Sequence, residues 1–136
     1  MSVEQNLETV RAFYASGPAT DDSGRYVHVS DDIVWHVPGD NPVSGTYRGA
    51  AEVLEVIPER MQPLDVWEID LVDLMGNADL VMATVRLRAQ RGDHAVDCAA
   101  GHVFRLDEAA RIVEAWGFIT AQAEIDELFA AGPSTS

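Results

Sequence analysis

Apolar positions at the start of the chain fall on one helical stripe. Val3, Leu7, Val10 and Tyr14 recur at spacings of four, three and four, which turns Tyr14 toward a core. Ser2 followed by Gln5 reads as a capping box ahead of that stripe. Gly17-Pro18 is expected to end the helix, and a short second helix is expected over Asp21 to Val29, where acids stand at the start. In "DDIVWHVPGDNPVSGTYRG", Asp31 to Gly49, an apolar run stops at Pro38-Gly39. It predicts a strand and a turn, then a loop through Asp40-Asn41-Pro42 and Ser44-Gly45. From Gly49 the period is helical again, with Ala50, Val53, Leu54, Ile57 and Met61 on one face. Pro58 is expected to kink or end that helix.

Beyond Leu64 the pattern alternates with period two. "VWEIDLVDLMG" and "ADLVMATVRLRAQR" are joined by Gly76-Asn77, and "HAVDCAAGHVFRL" follows the hairpin signal Gly92-Asp93. "RIVEAWGFI" follows a turn at Asp107 to Ala110. A last helix, "AQAEIDELFA", has Thr120 as its expected cap, and the tail "AGPSTS" reads as disordered. Helices segregated from a run of hairpin-linked strands predict an α+β fold. One curved antiparallel sheet would wrap the N-terminal helices as a cone and enclose a cavity. A single domain is expected over residues 1–130, with 131–136 as tail.

Composition narrows the function classes. The chain has 136 residues, 47% of them hydrophobic, which suits a globular core. Its formal net charge is -14 and every basic side chain is arginine. Such a chain is repelled by nucleic acid and by anionic membranes. No long uncharged apolar run predicts a membrane span, and "MSVEQNLETVRAFYAS" lacks the basic-then-apolar pattern of a signal peptide. Cys98 is the single cysteine, so no internal disulfide is expected and a reducing cytoplasm is the expected compartment.

Three pieces of the chain resemble the SnoaL-like, ketosteroid-isomerase-like branch of the nuclear transport factor two superfamily: "FYAS", "DDIVWHVPGDNPVSGTYRG" and "GHVFRLDEAARIVEAWGF". The resemblance spans Val3 to about Phe129. It implies the cone fold and a cofactor-independent acid/base enzyme: a cyclase, isomerase or dehydratase acting on a hydrophobic oxygenated small molecule such as a polyketide or terpenoid. His36, before Val37-Pro38-Gly39, stands where ketosteroid isomerases carry their general base. His102, before Val103-Phe104-Arg105-Leu106, matches their oxyanion-binding aspartate, and Tyr14 their oxyanion tyrosine. Both carboxylates of the steroid pattern are thus histidines here. Ala121 occupies the place where SnoaL-like cyclases carry an acid after the final strand. Two histidines with a tyrosine are similar in type to the set in scytalone dehydratase.

An imidazole titrating near ~6.5 gives or takes protons at neutral pH. The expected roles are His36 as base, His102 as acid or oxyanion donor, and Tyr14 as helper donor. Trp35, Tyr47, Trp116 and Phe118 are expected to contact substrate, with Cys98 as a small pocket wall. His28, His36, His94 and His102 lack metal-ligand spacing and no second cysteine exists, so neither a metal nor another cofactor is expected. Asp70 and Asp97 lie within strands on faces the pattern does not reveal.

The alternative is a non-catalytic ligand-binding or dimerisation module of the same fold. An open cavity with converging imidazole nitrogens favours the enzyme; a closed, dry core favours the module. A homodimer is expected through the sheet's outer face, because Leu80 and Met82 stand opposite in parity to Val81, Ala83, Val85 and Leu87.

Overall fold

The computed structural model describes residues 2–16 and 19–130. The expected helix stop at Gly17-Pro18 and the tail at 131–136 lie outside them. Helix α1 (Val3–Ser16) starts at a reciprocal capping box: the Gln5 N–H donates to Ser2 Oγ at 3.1 Å and the Ser2 N–H to Gln5 Oε1 at 3.3 Å. Val10 is fully buried, with Leu7 and Tyr14 packed against the same core cluster.

Strand β1 (Val29–Val37) pairs with the short β2 (Gly45–Arg48). A π-helical turn, Glu52–Val56, runs into α2 (Ile57–Arg60). Then come β3 (Val66–Gly76), β4 (Leu80–Arg91), β5 (His94–Leu106), β6 (Ile112–Ile119) and α3 (Gln122–Ala130). The sheet order is β2-β1-β6-β5-β4-β3, open at both ends. Register shifts in β1–β6, β3–β4 and β5–β6 mark irregularities of the kind that bend long strands. The inner face rests on the helices: Val81, Ala83, Val85 and Leu87 of β4 are at most 2% exposed, and Phe104 of β5 is fully buried.

The α+β class and the curved sheet are as the pattern predicts. Several local expectations are not. The sheet is mixed rather than antiparallel throughout, because β6, arriving last, docks parallel to the free edge of β1. Gly45, at the end of the expected loop, instead opens β2, a strand the pattern does not predict. No helix forms over Asp21 to Val29; Asp21 Oδ1 instead accepts the N–H groups of Ser23 and Arg25 and the Ser23 hydroxyl, closing a turn at Gly24. Aspartate binding its own downstream backbone competes with helix there. Thr120 does not cap α3; its hydroxyl donates to Ala99 O at 2.6 Å. Pro58 has no N–H to offer Leu54, and the chain ahead of it widens, the Ile57 N–H reaching Glu52 O. Among the described residues, no helix is long and apolar enough to cross a membrane.

Candidate active site

The sheet's inner face, α1, the segment from Val53 to Met61, and α3 enclose a cavity of about 340 Å³. Most of its wall is apolar, including Trp35, Trp67, Leu87, Ile125 and Phe129. The polar side chains lining it are Tyr14, Asn41, His102 and Gln122.

Tyr14 is the last residue of the α1 stripe, and His102 shares the inward parity of β5 with Ala100 and Phe104. The two elements bring the Tyr14 hydroxyl to 2.5 Å from His102 Nδ1. Trp35 packs edge-on to the imidazole with ring centroids 5.3 Å apart, and Phe104 lies at 5.5 Å. This apolar surround disfavours charge. Burial lowers the His102 pKa to about 4, so the ring is neutral at neutral pH. The same desolvation pushes the Tyr14 phenol up, so it keeps its proton. Among the described residues nothing bonds His102 Nε2. Neutral imidazole and protonated phenol together offer one proton acceptor and one donor to a molecule in the cavity.

The expected place of His36, at the cavity mouth, is not where the structure puts it. Trp35 and Val37 take the inward positions of β1, so period-two alternation turns His36 to the outer face. There its Nε2 lies 2.7 Å from Glu114 Oε2, its Nδ1 3.1 Å from Thr46 Oγ1, and its ring stacks on Trp116 at 5.5 Å. Arg105 reaches the other Glu114 oxygen at 3.2 Å. His36 and Arg105 hold the Glu114 carboxyl below its usual range. The imidazoles of His36 and His102 therefore do not converge.

Of the expected substrate contacts, Trp35 and Phe118 line the cavity. Trp116 is exposed on the outer face. Tyr47 is buried, donating to Val43 O at 2.6 Å and accepting from Arg60 at 3.0 Å, so it braces the loop after β1 instead. Cys98 is buried in the same core cluster as Val85, Leu87 and Leu128 but does not itself line the cavity. Asp70 and Asp97 point outward and pair with Arg88 and Arg86. Among the described residues no three or more His, Cys, Asp or Glu side chains are grouped to hold a metal.

Sequence reasoning missed Gln122 and its partners. Gln122, Ile125 and Phe129 recur at helical spacing on α3 and all line the cavity. That stripe, beginning with an amide immediately after Ala121, was the signal available.

A curved six-stranded sheet packed on three helices is the fold of the nuclear-transport-factor-two type. The model of the SnoaL-like domain matches residues 10–115, and the chain belongs to that family. No curated protein matches the sequence. Solved structures share the fold at low identity. Bal32a, from a soil-derived mobile gene cassette, is 23% identical with a TM-score of 0.79, over 93% of this chain and 97% of that one. TerC, co-crystallised with polyporic acid, is 18% identical with a TM-score of 0.75, over 93% and 98%. A candidate SnoaL-like polyketide cyclase from Jannaschia sp. CCS1 is 17% identical with a TM-score of 0.70, over 96% and 94%.

Proposed function

We propose that the cavity is a cofactor-independent acid/base site in which His102 and Tyr14 act on a hydrophobic oxygenated small molecule. The reaction class is enolisation leading to cyclisation, isomerisation or dehydration. The observation that carries this reading is the partly buried Tyr14–His102 pair, with Nε2 unbonded, in a mostly apolar cavity. With the ring proton on Nδ1 donated to Tyr14 Oη, the Nε2 lone pair is free to take a proton from a carbon beside a carbonyl. The Tyr14 O–H then donates to the carbonyl oxygen as it gains charge. Imidazolium and enolate form side by side in a site of low polarity and stabilise one another. The cavity's size fits a small ring system. The polyporic acid co-crystallised with TerC and the cyclase role ascribed to the Jannaschia protein support an aromatic or polyketide-like substrate.

Deuterium exchange at the α-carbons of 2-tetralone, followed by NMR in heavy water, tests this directly. Wild type should exchange it faster than an equal concentration of free imidazole. His102→Ala should lose roughly 10²- to 10⁴-fold in rate, and Tyr14→Phe should lose a substantial part of the rate as well. A wild-type rate no better than imidazole, or a His102→Ala variant as fast as wild type, refutes the reading and leaves the non-catalytic binding module.

We also propose a homodimer through the outer face. Met82, Val103, Trp116 and His36 stand in one cross-strand row there, and Trp116 is 36% exposed. The apolar part of that row, Met82, Val103 and Trp116, flanked by the His36–Glu114–Arg105 cluster, suits a self-complementary contact. Light scattering showing a monomer at micromolar concentration would remove this proposal. The lone Cys98, buried and free, supports a reducing cytoplasm as the compartment.

A further inference from the structure

A glycine stands where the cavity wall meets the reacting imidazole. In the inward row that crosses the sheet, His102 has Ala83 of β4 on one side and Gly117 of β6 on the other. Ala83 is fully buried, whereas Gly117 is partly exposed and lines the cavity. Glycine in the middle of a strand weakens it, and marks a bulge, a sharp bend or a close approach of other atoms. The backbone of Gly117 stays out of the left-handed region that favours glycine. Pairing runs in regular register from Ala100–Ile119 to Arg105–Glu114, so no bulge lies there. What Gly117 supplies is space.

Two rings bound that space. A Cβ on Gly117 would lie 3.6 Å from His102 Cδ2 and 3.1 Å from Pro38 Cδ. Cδ2 is bonded to Nε2, so the unbonded nitrogen is one bond from the atom such a methyl would touch. Pro38 is held in place. Its carbonyl accepts from Ser44 Oγ at 3.0 Å, and the loop behind it is tied to α3, where Asn41 Nδ2 and Gln122 Nε2 donate to Asp126 Oδ1 at 2.7 and 2.9 Å. The fit of Pro38 explains a small residue on its own side of the gap only. The other side is the imidazole edge, and the cavity reaches the glycine between them.

We propose that Gly117 is a specificity-determining residue whose bare backbone is the floor on which a substrate ring rests while the carbon that loses its proton lies against His102 Nε2. The site thereby favours ketones whose reacting carbon belongs to a fused ring system over small single-ring ketones. This rests on the acid/base reading for the proton transfer, but binding reads it as well. A methyl on the floor lifts a ring away from Nε2. A fused ring fills more of the cavity and has less room to shift aside than a small one, so it loses more.

Size discrimination tests this. Deuterium exchange into 2-tetralone and into cyclopentanone, each divided by its rate with free imidazole, gives the preference for the fused ring. Wild type should favour tetralone. Gly117→Ala should lower that preference about tenfold. Gly117→Val, whose longer side chain extends past Cδ2 toward Nε2, should lower it about a hundredfold. Rates that fall together with the preference unchanged mark a merely structural glycine and overturn the proposal. 2-Naphthol, the aromatic counterpart of the tetralone enol, and phenol read the same discrimination without chemistry. In NMR titrations the naphthol advantage over phenol should fall about fivefold or more in Gly117→Ala. If the variants fail to fold, the wild-type complex carries the test. Ring protons of bound 2-naphthol should show NOEs to the Gly117 Hα protons. NOEs to the Trp35 and Trp67 rings with none to Gly117, or no naphthol binding at all, overturn the proposal. His102→Ala separates it from the catalytic reading. If that variant exchanges tetralone like wild type while Gly117→Ala loses the naphthol advantage, the acid/base reading fails and the floor stands. If it loses exchange while both preferences survive in the Gly117 variants, Gly117 alone is condemned.

Discussion

His102 on β5 and His36 on β1 are separated by one strand, β6, and stand on opposite faces of the sheet. Inside, His102 meets a phenol and two further aromatic rings, and burial takes its proton away at neutral pH. Outside, His36 meets a carboxylate, a hydroxyl and a stacked indole at the edge of solvent. The same side chain is thus a neutral acceptor on one face and the partner of an acid on the other. Desolvation and the nearest charge decide which, not residue type. A reactive histidine is better recognised by the absence of a charged partner in an apolar wall than by its place before a turn.

Rate is where the two faces should differ most. His102→Ala should cost roughly 10²- to 10⁴-fold in tetralone exchange, whereas His36→Ala should change it by less than about threefold, since it touches neither cavity nor dyad. Equal losses in both would break the contrast and restore His36 as a reacting group.

Stability should separate the faces next. Phe104 is fully buried against Phe13, Tyr14 and Trp35, so Phe104→Ala should cost about 3–5 kcal/mol in denaturant melts. Outer-face Trp116 is already 36% exposed, and Trp116→Ala should cost clearly less. The melts should be run at matched protein concentration, because dimerisation through the outer face would raise the Trp116 value.

Acid should reveal the inner histidine. Unfolded, its imidazole titrates near ~6.5; folded, near about 4. Between those values the unfolded chain binds the extra proton, so stability rises with pH across that window. His102's contribution is fully present above the unfolded value and lost as acid takes the pH down through the folded one. Two and a half units correspond to roughly 3 kcal/mol. His102→Phe should remove that part of the acid sensitivity between pH 6.5 and pH 4, and wild-type exchange activity should persist well below pH 6.5. An activity that halves near the ordinary imidazole value would mean that the ring is hydrated in solution.

Local chemistry made much of this legible. The α1 stripe, the hairpin turns at Gly76-Asn77 and Gly92-Asp93, and the alternation of β4 and β5 are near-neighbour signals, and the elements formed there. Shared parity on β5 could be read, though not which parity faces inward: Val96, Cys98, His102, Phe104 and Leu106 fall on one, Asp97 and Arg105 on the other. On β1 it could not: Ile33, Val34, Trp35 and Val37 are apolar at both parities, so nothing local assigns His36 a face. The parallel β1–β6 pair joins residues about eighty positions apart, and no short-range signal encodes it. The Asn41–Asp126–Gln122 network is equally non-local, closed only when the loop after β1 meets α3.

The smallest expected effect lies in the outer-face pair itself. His36 and Glu114 are 2.7 Å apart, but their side chains remain 33% and 22% exposed, and Arg105 holds the other carboxylate oxygen. Solvent screens such a pair, and Glu114 keeps a cationic partner when His36 is removed. A double-mutant cycle with His36→Ala, Glu114→Gln and both, run at a concentration where light scattering shows a monomer, should therefore give a coupling of about 0.2–1 kcal/mol near neutral pH, shrinking as salt is added. As the pH falls far enough to protonate Glu114, already held below its usual range, the coupling should vanish. A salt-insensitive coupling above about 2 kcal/mol would mean that this pair is desolvated in solution. At concentrations where the protein pairs, a dimer closed over the outer face would do that, and His36 would then be as buried as His102, with the contrast between the two faces reduced to their partners.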